Sequence, residues 1–375
     1  MTGRIVLFGA TGFTGGLVAA ALAPLRGDAP LVLAGRDRAR LEALASRLGG
    51  SAVEVAVADA TDEAQVAGLV GRDDVLVSTV GPFARLGRPA VAAATGAGAA
   101  YLDSTGEPAF LEEVFRRHGP RAAATGARLL PAFGYDYVPG NLAAALALRE
   151  AGGEARRVDV GYFLRGRGGL STGTLASAAG AALQPGLAWR TGALRHERPA
   201  ARVRSFHLGG RERAAVSVAG SEHLVLPRSF PQLLEVDVLL GWAGDLARPL
   251  QGASALAGLA GRVPGVRAGA GALAGRLAGA LPGGTGQGPS PQARARTRSV
   301  AVAEAFTVDD RLLARVVLQG PDPYGLTGAL LARGALAAAQ GRLRGAGALG
   351  PVDALGLDGL GALARDAGLV PLEEG

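Results

Sequence analysis

The chain has 375 residues, 49% of them hydrophobic and 19% charged, which suits a folded protein with two domains and a buried core. It contains no cysteine and no lysine, so every strong base is an arginine. This excludes disulfides, thiolate nucleophiles, Schiff-base and pyridoxal lysines, the Walker-A lysine and the Tyr-x-x-x-Lys pair of short-chain dehydrogenases. The net charge of +7 and the 5% aromatic content do not describe a nucleic-acid groove. The four histidines, His118, His196, His207 and His223, lack metal-ligand spacing, so no metal is expected. The chain opens almost at once on a strand pattern, leaving no room for a signal peptide. No run of 18 or more uncharged apolar residues offers an integral membrane segment. The expectation is a soluble cytoplasmic protein.

The first 140 residues alternate strand and helix patterns. "RIVLFG", "PLVLAGR", "AVEVAVAD", "DVLVSTVG", "AAYLDST" and "ARLLPAFG" read as six strands, with helical segments between them. Such βαβα alternation predicts an α/β fold, a Rossmann-type parallel sheet with helices on both faces. Beyond residue 140 the strands "RVDVGYFLRG", "ARVRSFHLGG", "RAAVSVAG" and "LLEVDVLLGW" follow one another, and "RSVAVAEAFTVDDRLLARVVLQG" reads as a hairpin. They predict an α+β second domain over 141–320, with a more antiparallel sheet. Residues 251–292 are rich in Gly and Ala, then loop-like, and the tail 321–375 reads as helical.

"GATGFTGG" follows the first strand and opens the first helix, with Gly9, Gly12 and Gly15 spaced by three. Gly9 permits the tight reversal, Gly12 lets backbone N–H groups approach a pyrophosphate, and Gly15 lets helix and strand pack closely. Thr11, Phe13 and Thr14 share the turn. G-x-x-G-x-x-G is one residue longer than the usual dinucleotide fingerprint, a spacing common where the cofactor is NADP. The second strand ends "LAGRDRAR": Arg36 stands where NAD sites carry an acid, and its guanidinium suits a 2′-phosphate. Asp37 points toward NAD but sits one step later. Asp59 reads either as a contact to the adenine amino group or as a helix N-terminal acid beside Thr61. The fourth strand ends "STVGPF", placing Ser78, Val80, Gly81 and Pro82 beside the nicotinamide and Phe83 on the substrate side.

The fifth strand brings Asp103, Ser104, Thr105 and Glu107 to the same sheet edge, the first three as expected substrate contacts, and the sixth brings the candidate catalytic residues Tyr135, Asp136 and Tyr137. Either phenol can donate a proton, and Asp136 can do so if its pKa is raised. Boundary packing by the tyrosines and helix capping by Asp136 are the competing readings. Ser171 and Thr172 in "GGLSTGTLAS" read as a substrate anion or carbonyl site, or as helix caps. The histidines read as ordinary structural residues.

In order, "GATGFTGG", "LAGR", "STVGPF", "YLDSTGE", "PAFGYDYVPGNLAA", "GLSTGTLAS", "DPYGLTGALLARGALAA" and "GALGPVDALG" resemble the saccharopine dehydrogenase-like reductases, in particular the bacterial branch of trans-acting enoyl reductases. The resemblance implies an NADP-binding Rossmann domain, an α+β second domain and a C-terminal helical return onto the first. It implies NADPH-dependent reduction of a C=C or C=N bond in a small molecule, lipid or polyketide-type intermediate, free or on a carrier protein, and leaves a homodimer open. The lysine-dependent proton transfer of the lysine-biosynthetic members cannot operate here, since the chain has no lysine. A redox-inactive NADP-binding sensor or assembly protein on the same fold is the alternative.

Overall fold

A computed structural model describes residues 3–49, 53–166, 186–242, 247–260 and 288–373. Ser171 and Thr172 lie outside the described residues. The chain divides into two compact units, Met1–Leu142 with Asp322–Leu369, and Ala143–Pro321 with Val370–Gly375.

The first unit is built on β1 (Ile5–Phe8), β2 (Leu31–Gly35), β3 (Val53–Val57), β4 (Val75–Ser78), β5 (Ala100–Asp103) and β6 (Arg128–Leu130), joined by Gly347–Ala348, fifteenth in chain order and named β15. All pairings are parallel, in the order β15-β6-β5-β4-β1-β2-β3. β1, β4 and β5 are buried along their whole length, as their unbroken apolar runs require in a sheet covered on both faces. β1 lies between β2 and β4, so the chain order reverses there, and a crevice opens at the carboxyl ends of those strands.

The small residues have a packing use. Helix Phe13–Leu22 lies against helix Pro323–Ala339 so closely that a Cβ on Gly328 would sit 3.1 Å from the Leu17 backbone. Asp322 starts the second helix by accepting hydrogen bonds from the Tyr324 and Gly325 N–H groups at 3.1 Å. Its first turn reaches the end of the glycine turn, where the Phe13 and Tyr324 rings meet edge-on at 5.3 Å.

The second unit carries β7 (Arg157–Arg165), β8 (Gly186–Arg190), β9 (Ala193–Glu197), β10 (Val203–His207), β11 (Glu212–Ser217), β12 (Glu235–Leu240), β13 (Arg298–Phe306), β14 (Leu312–Gly320) and β16 (Val370–Pro371). The main path runs β10-β11-β12-β7-β13-β14-β16, and the β8–β9 hairpin joins at β12. β7 and β12 are parallel and the other pairs antiparallel. Alternation puts Phe163, Phe206, Leu239, Val302 and Val317 together at one end of a sheet face. The same face carries ions at its other end: Glu304 takes Arg204 at 2.6 Å and Arg315 at 2.9 Å, and Asp159 pairs with Arg157 and Arg204.

The β8–β9 hairpin departs from the sequence expectation, and so do β15 and β16 in the tail read as helical. β15 and β16 span two residues each and exist only because distant strands, β6 and β14, offer free edges. No local pattern encodes such pairing.

Candidate active site

Gly9 closes β1 with φ of 85°, a left-handed value that favours glycine. A Cβ there would also lie 2.8 Å from Thr79 Oγ1 and 2.9 Å from Val80 Cγ2. On Gly15 a Cβ would collide with the Gly9 carbonyl oxygen and stand 2.9 Å from the Ala10 Cα. Gly12 differs: it is exposed, donates its N–H to Gly9 O at 3.0 Å, and a Cβ on it would approach only Gly9 O, at 3.2 Å. Gly9 and Gly15 therefore shape the turn, while Gly12 leaves its outer side bare above the N-terminus of helix Phe13–Leu22. That bare cradle, facing the positive end of a ten-residue helix, fits a pyrophosphate. Thr11, Phe13 and Thr14 flank it, each half-buried. Thr79, whose part in the turn no sequence signal marks, fastens it from the end of β4, its hydroxyl 3.2 Å from the carbonyl oxygens of Phe8 and Gly9. Gly12→Val should leave a folded protein by circular dichroism yet abolish binding of the reduced cofactor in a fluorescence titration. Normal binding by the folded variant would refute the cradle.

The β2 end separates the candidate charges. Arg36 is exposed. Asp37 caps helix Arg38–Arg47, accepting from Arg40 N at 3.1 Å. One oxygen of Asp59 accepts from the Thr61 N–H at 2.8 Å and the Thr61 hydroxyl at 2.7 Å. These bonds, aided by the Arg36 charge, hold the Asp59 carboxyl below the usual carboxylate range. One Asp59 oxygen thus ties the turn at Thr61, and Asp62 caps the helix that follows.

The other loops meet at the same sheet edge. Asp103 is fully buried, with Oδ1 accepting from Thr105 N at 2.9 Å and Ala132 N at 2.7 Å, and Oδ2 accepting from the Tyr101 hydroxyl at 2.8 Å. Burial pushes its carboxyl up to about 6 against the pull of those three bonds. Ser78, also buried, turns its hydroxyl to the Tyr101 phenol, whose pKa burial raises well above the usual value. Glu107 reaches from the β5 loop to the β4 loop, accepting from Phe83 N at 2.8 Å and Ala84 N at 2.9 Å. Gly81 and Pro82 are exposed and Val80 is half-buried, and the Gly81–Pro82 peptide is cis.

Four placements correct the sequence reading. Phe83 is only 6% exposed and packs on Phe110 with ring centres 5.7 Å apart, so it builds the unit rather than a substrate wall. Asp103 and Thr105 are fully buried clamps rather than substrate contacts, and Ser78 faces the interior rather than a cofactor. Ser78 and Asp103 end their strands, where side chains still alternate between crevice and core, while Phe83 and Thr105 lie beyond the strands and are turned inward by their own contacts with Phe110 and Asp103. Ser104 remains half-buried at the loop surface.

Within Tyr135–Asp136–Tyr137 the three side chains part company. Tyr135 is buried, and its N–H donates to Thr327 Oγ1 at 3.0 Å. Tyr137 is buried too, its hydroxyl 3.4 Å from Gly106 O. Asp136 is half-buried, and a Cβ on Gly106 would come within 3.0 Å of its Oδ2. Desolvation raises the Asp136 carboxyl to about 6. A carboxyl of that acidity, beside the backbone of Gly106, can hold a proton near neutral pH and release it.

The family model described as "Saccharopine dehydrogenase NADP binding domain" matches residues 5–130. Part of the chain also matches curated mycobacterial proteins. A provisionally named trans-acting enoyl reductase of Mycobacterium tuberculosis is 42% identical over 179 residues, 46% of this chain and 42% of its own length. A trans-acting enoyl reductase of Mycobacterium leprae is 44% identical over 140 residues, 37% of this chain and 34% of its own. The chain is thus matched along less than half the length of these relatives. Among solved structures, apo saccharopine dehydrogenase (L-Glu forming) from Saccharomyces cerevisiae covers 99% of both chains with a TM-score of 0.59 and 14% identity, a likeness of fold. Among the described residues no helix is long and apolar enough to cross a membrane.

Proposed function

We propose that this chain is an NADPH-dependent reductase of an activated C=C bond, with an α,β-unsaturated thioester as the substrate class. The observation that carries this reading is the bare Gly12 cradle within the stretch matched to an NADP-binding domain, together with the half-buried Asp136 carboxyl set against Gly106. The names of the mycobacterial relatives support C=C over C=N reduction. The substrate is a small molecule or is presented on a carrier protein.

NADPH, when bound, supplies the hydride. The pyrophosphate falls to Gly12 and the N–H groups of the helix start, the 2′-phosphate to Arg36, and the nicotinamide to Val80, Gly81 and Pro82. Glu107 fixes the β4 loop by holding the N–H groups of Phe83 and Ala84. Asp103 fixes the β6 loop through Ala132 N, which sets the segment carrying Asp136. The proton for the carbon next to the thioester carbonyl comes from the Asp136 carboxyl.

The test is loss of reduced-nicotinamide absorbance on mixing protein, NADPH and a short enoyl thioester of pantetheine. Consumption with NADPH in preference to NADH is expected. Tight binding with no consumption of any enoyl or imine acceptor would favour a redox-inactive binding protein instead. Arg36→Ala should weaken NADPH binding by about 1.5–3 kcal/mol, the range of a charge-assisted contact, and NADH binding little. Equal losses for both cofactors would remove Arg36 from the 2′-phosphate.

A further inference from the structure

Arg40 makes a contact that a surface helix does not ask of it. Its Nη2 reaches back across 29 residues to the Thr11 carbonyl oxygen at 3.0 Å, onto the glycine turn itself. Its neighbour Arg38 behaves as exposed helix arginines usually do and lies 3.7 Å from Glu42, one turn on. At the corresponding place one turn beyond Arg40 stands Leu44, so that option is closed to Arg40. Among the described residues Arg40 enters no ion pair. Its guanidinium is exposed, held over the turn, and in want of an anion.

Arg36 lies four residues earlier, at the end of β2, likewise exposed and without a close ion pair among the described residues. Asp59 contributes only a longer-range charge, and Thr61 engages one of its oxygens. Asp37, the carboxylate standing between the two arginines, is spent on the helix cap, where Oδ1 accepts from Arg40 N. The one acid placed to accept a ribose hydroxyl is thereby turned to the helix end. Two cations remain, one on the strand end and one fastened to the turn.

We propose that Arg40 is a second specificity-determining residue for the 2′-phosphate, closing with Arg36 as a two-arginine clamp. This rests on the NADP(H) reading of the site and adds to it. Arg36 contributes charge from the strand end. Arg40 contributes charge from the side of the glycine turn, its guanidinium held there by the Nη2 hydrogen bond to Thr11 O. The ligand chemistry is a phosphate monoester on the adenosine ribose, which carries close to two negative charges near neutral pH and accepts bidentate guanidinium contacts. A single arginine neutralises only part of that charge.

The experiment uses the full chain and four probes: NADPH, NADH, 2′,5′-ADP and 5′-AMP. Affinities are titrated for wild type, Arg36→Ala, Arg40→Ala, Arg40→Gln and Arg40→Lys. Arg40→Ala should weaken NADPH and 2′,5′-ADP at least tenfold, with NADH and 5′-AMP changed less than twofold. Arg40→Lys should recover part of the loss and Arg40→Gln none, because glutamine can reach a carbonyl but carries no charge. Raising ionic strength should shrink the wild-type preference for 2′,5′-ADP more than that of Arg40→Ala. Equal loss for all four probes, or full rescue by Arg40→Gln, would make Arg40 a tie for the turn and overturn the clamp. Unchanged affinities would overturn it too. Those outcomes, with Arg36→Ala still selective against NADPH, leave the NADP(H) reading standing. A wild-type protein that binds neither NADPH nor 2′,5′-ADP removes that reading and the clamp together.

Discussion

Asp136→Asn should lower single-turnover reduction of an enoyl thioester by about 10²–10⁴-fold, the usual span for loss of a general acid, while NADPH affinity stays unchanged. Asparagine nearly copies the shape of the side chain and cannot release a proton in this range. The pH dependence gives the sign. Burial raises the carboxyl to about 6, so it is protonated below that value and ionised above it. The wild-type rate of the proton-dependent step should fall as pH rises through about 6, and the residual rate of the variant should not follow that profile. Tyr137→Phe should cost far less, since its hydroxyl lies against Gly106 O within the protein. Near-normal turnover by Asp136→Asn would move the proton source to water or to the substrate's surroundings.

Asp103→Ala should destabilise the protein by about 3 kcal/mol or more near neutral pH, measured as a lower urea midpoint. The variant leaves the N–H groups of Thr105 and Ala132 and the Tyr101 hydroxyl without their acceptor in a dry interior. Each orphaned group costs roughly 1–3 kcal/mol, and relief from holding a buried charge offsets part of the sum. The offset depends on pH. The folded carboxyl titrates near 6, above its ordinary value of 3.8, so its contribution to stability is full below 3.8 and is lost as pH rises through about 6. The gap between wild type and Asp103→Ala should therefore widen from pH 7 to pH 5. Asp103→Asn, which keeps an acceptor for the two N–H groups, should cost much less than the alanine variant. A loss below about 1 kcal/mol in Asp103→Ala would show that the three bonds do not hold the loops.

The alternation of apolar runs with helical segments made β1 to β6 legible, because a buried parallel strand leaves a local signature. The glycine turn was legible for the same reason: Gly9, Gly12 and Gly15 act within seven residues of one another. What was hidden depends on distance along the chain. Arg40 meets Thr11 across 29 residues, Ala132 meets Asp103 across 29, and Tyr135 meets Thr327 across 192. "STVGPF" and "YLDST" showed that their residues reach the crevice edge, yet Phe83, Ser78, Asp103 and Thr105 turn inward there. That choice is made by partners distant along the chain, such as Phe110 for Phe83 and the Ala132 N–H for Asp103. Asp59 was readable either way, and its Oδ1 accepts from Thr61 while Asp62 caps the helix that follows.

The most direct test follows the hydride itself. NADPH carrying deuterium at the reactive nicotinamide carbon, in both faces separately, is incubated with the protein and an enoyl thioester, and the product is analysed by mass spectrometry and NMR. The account predicts one deuterium at the β-carbon from one labelled face only, a solvent-derived hydrogen at the α-carbon, and an equivalent of oxidised cofactor. Cofactor that binds at the glycine turn but leaves no deuterium in the product, with every enoyl thioester offered, would contradict it.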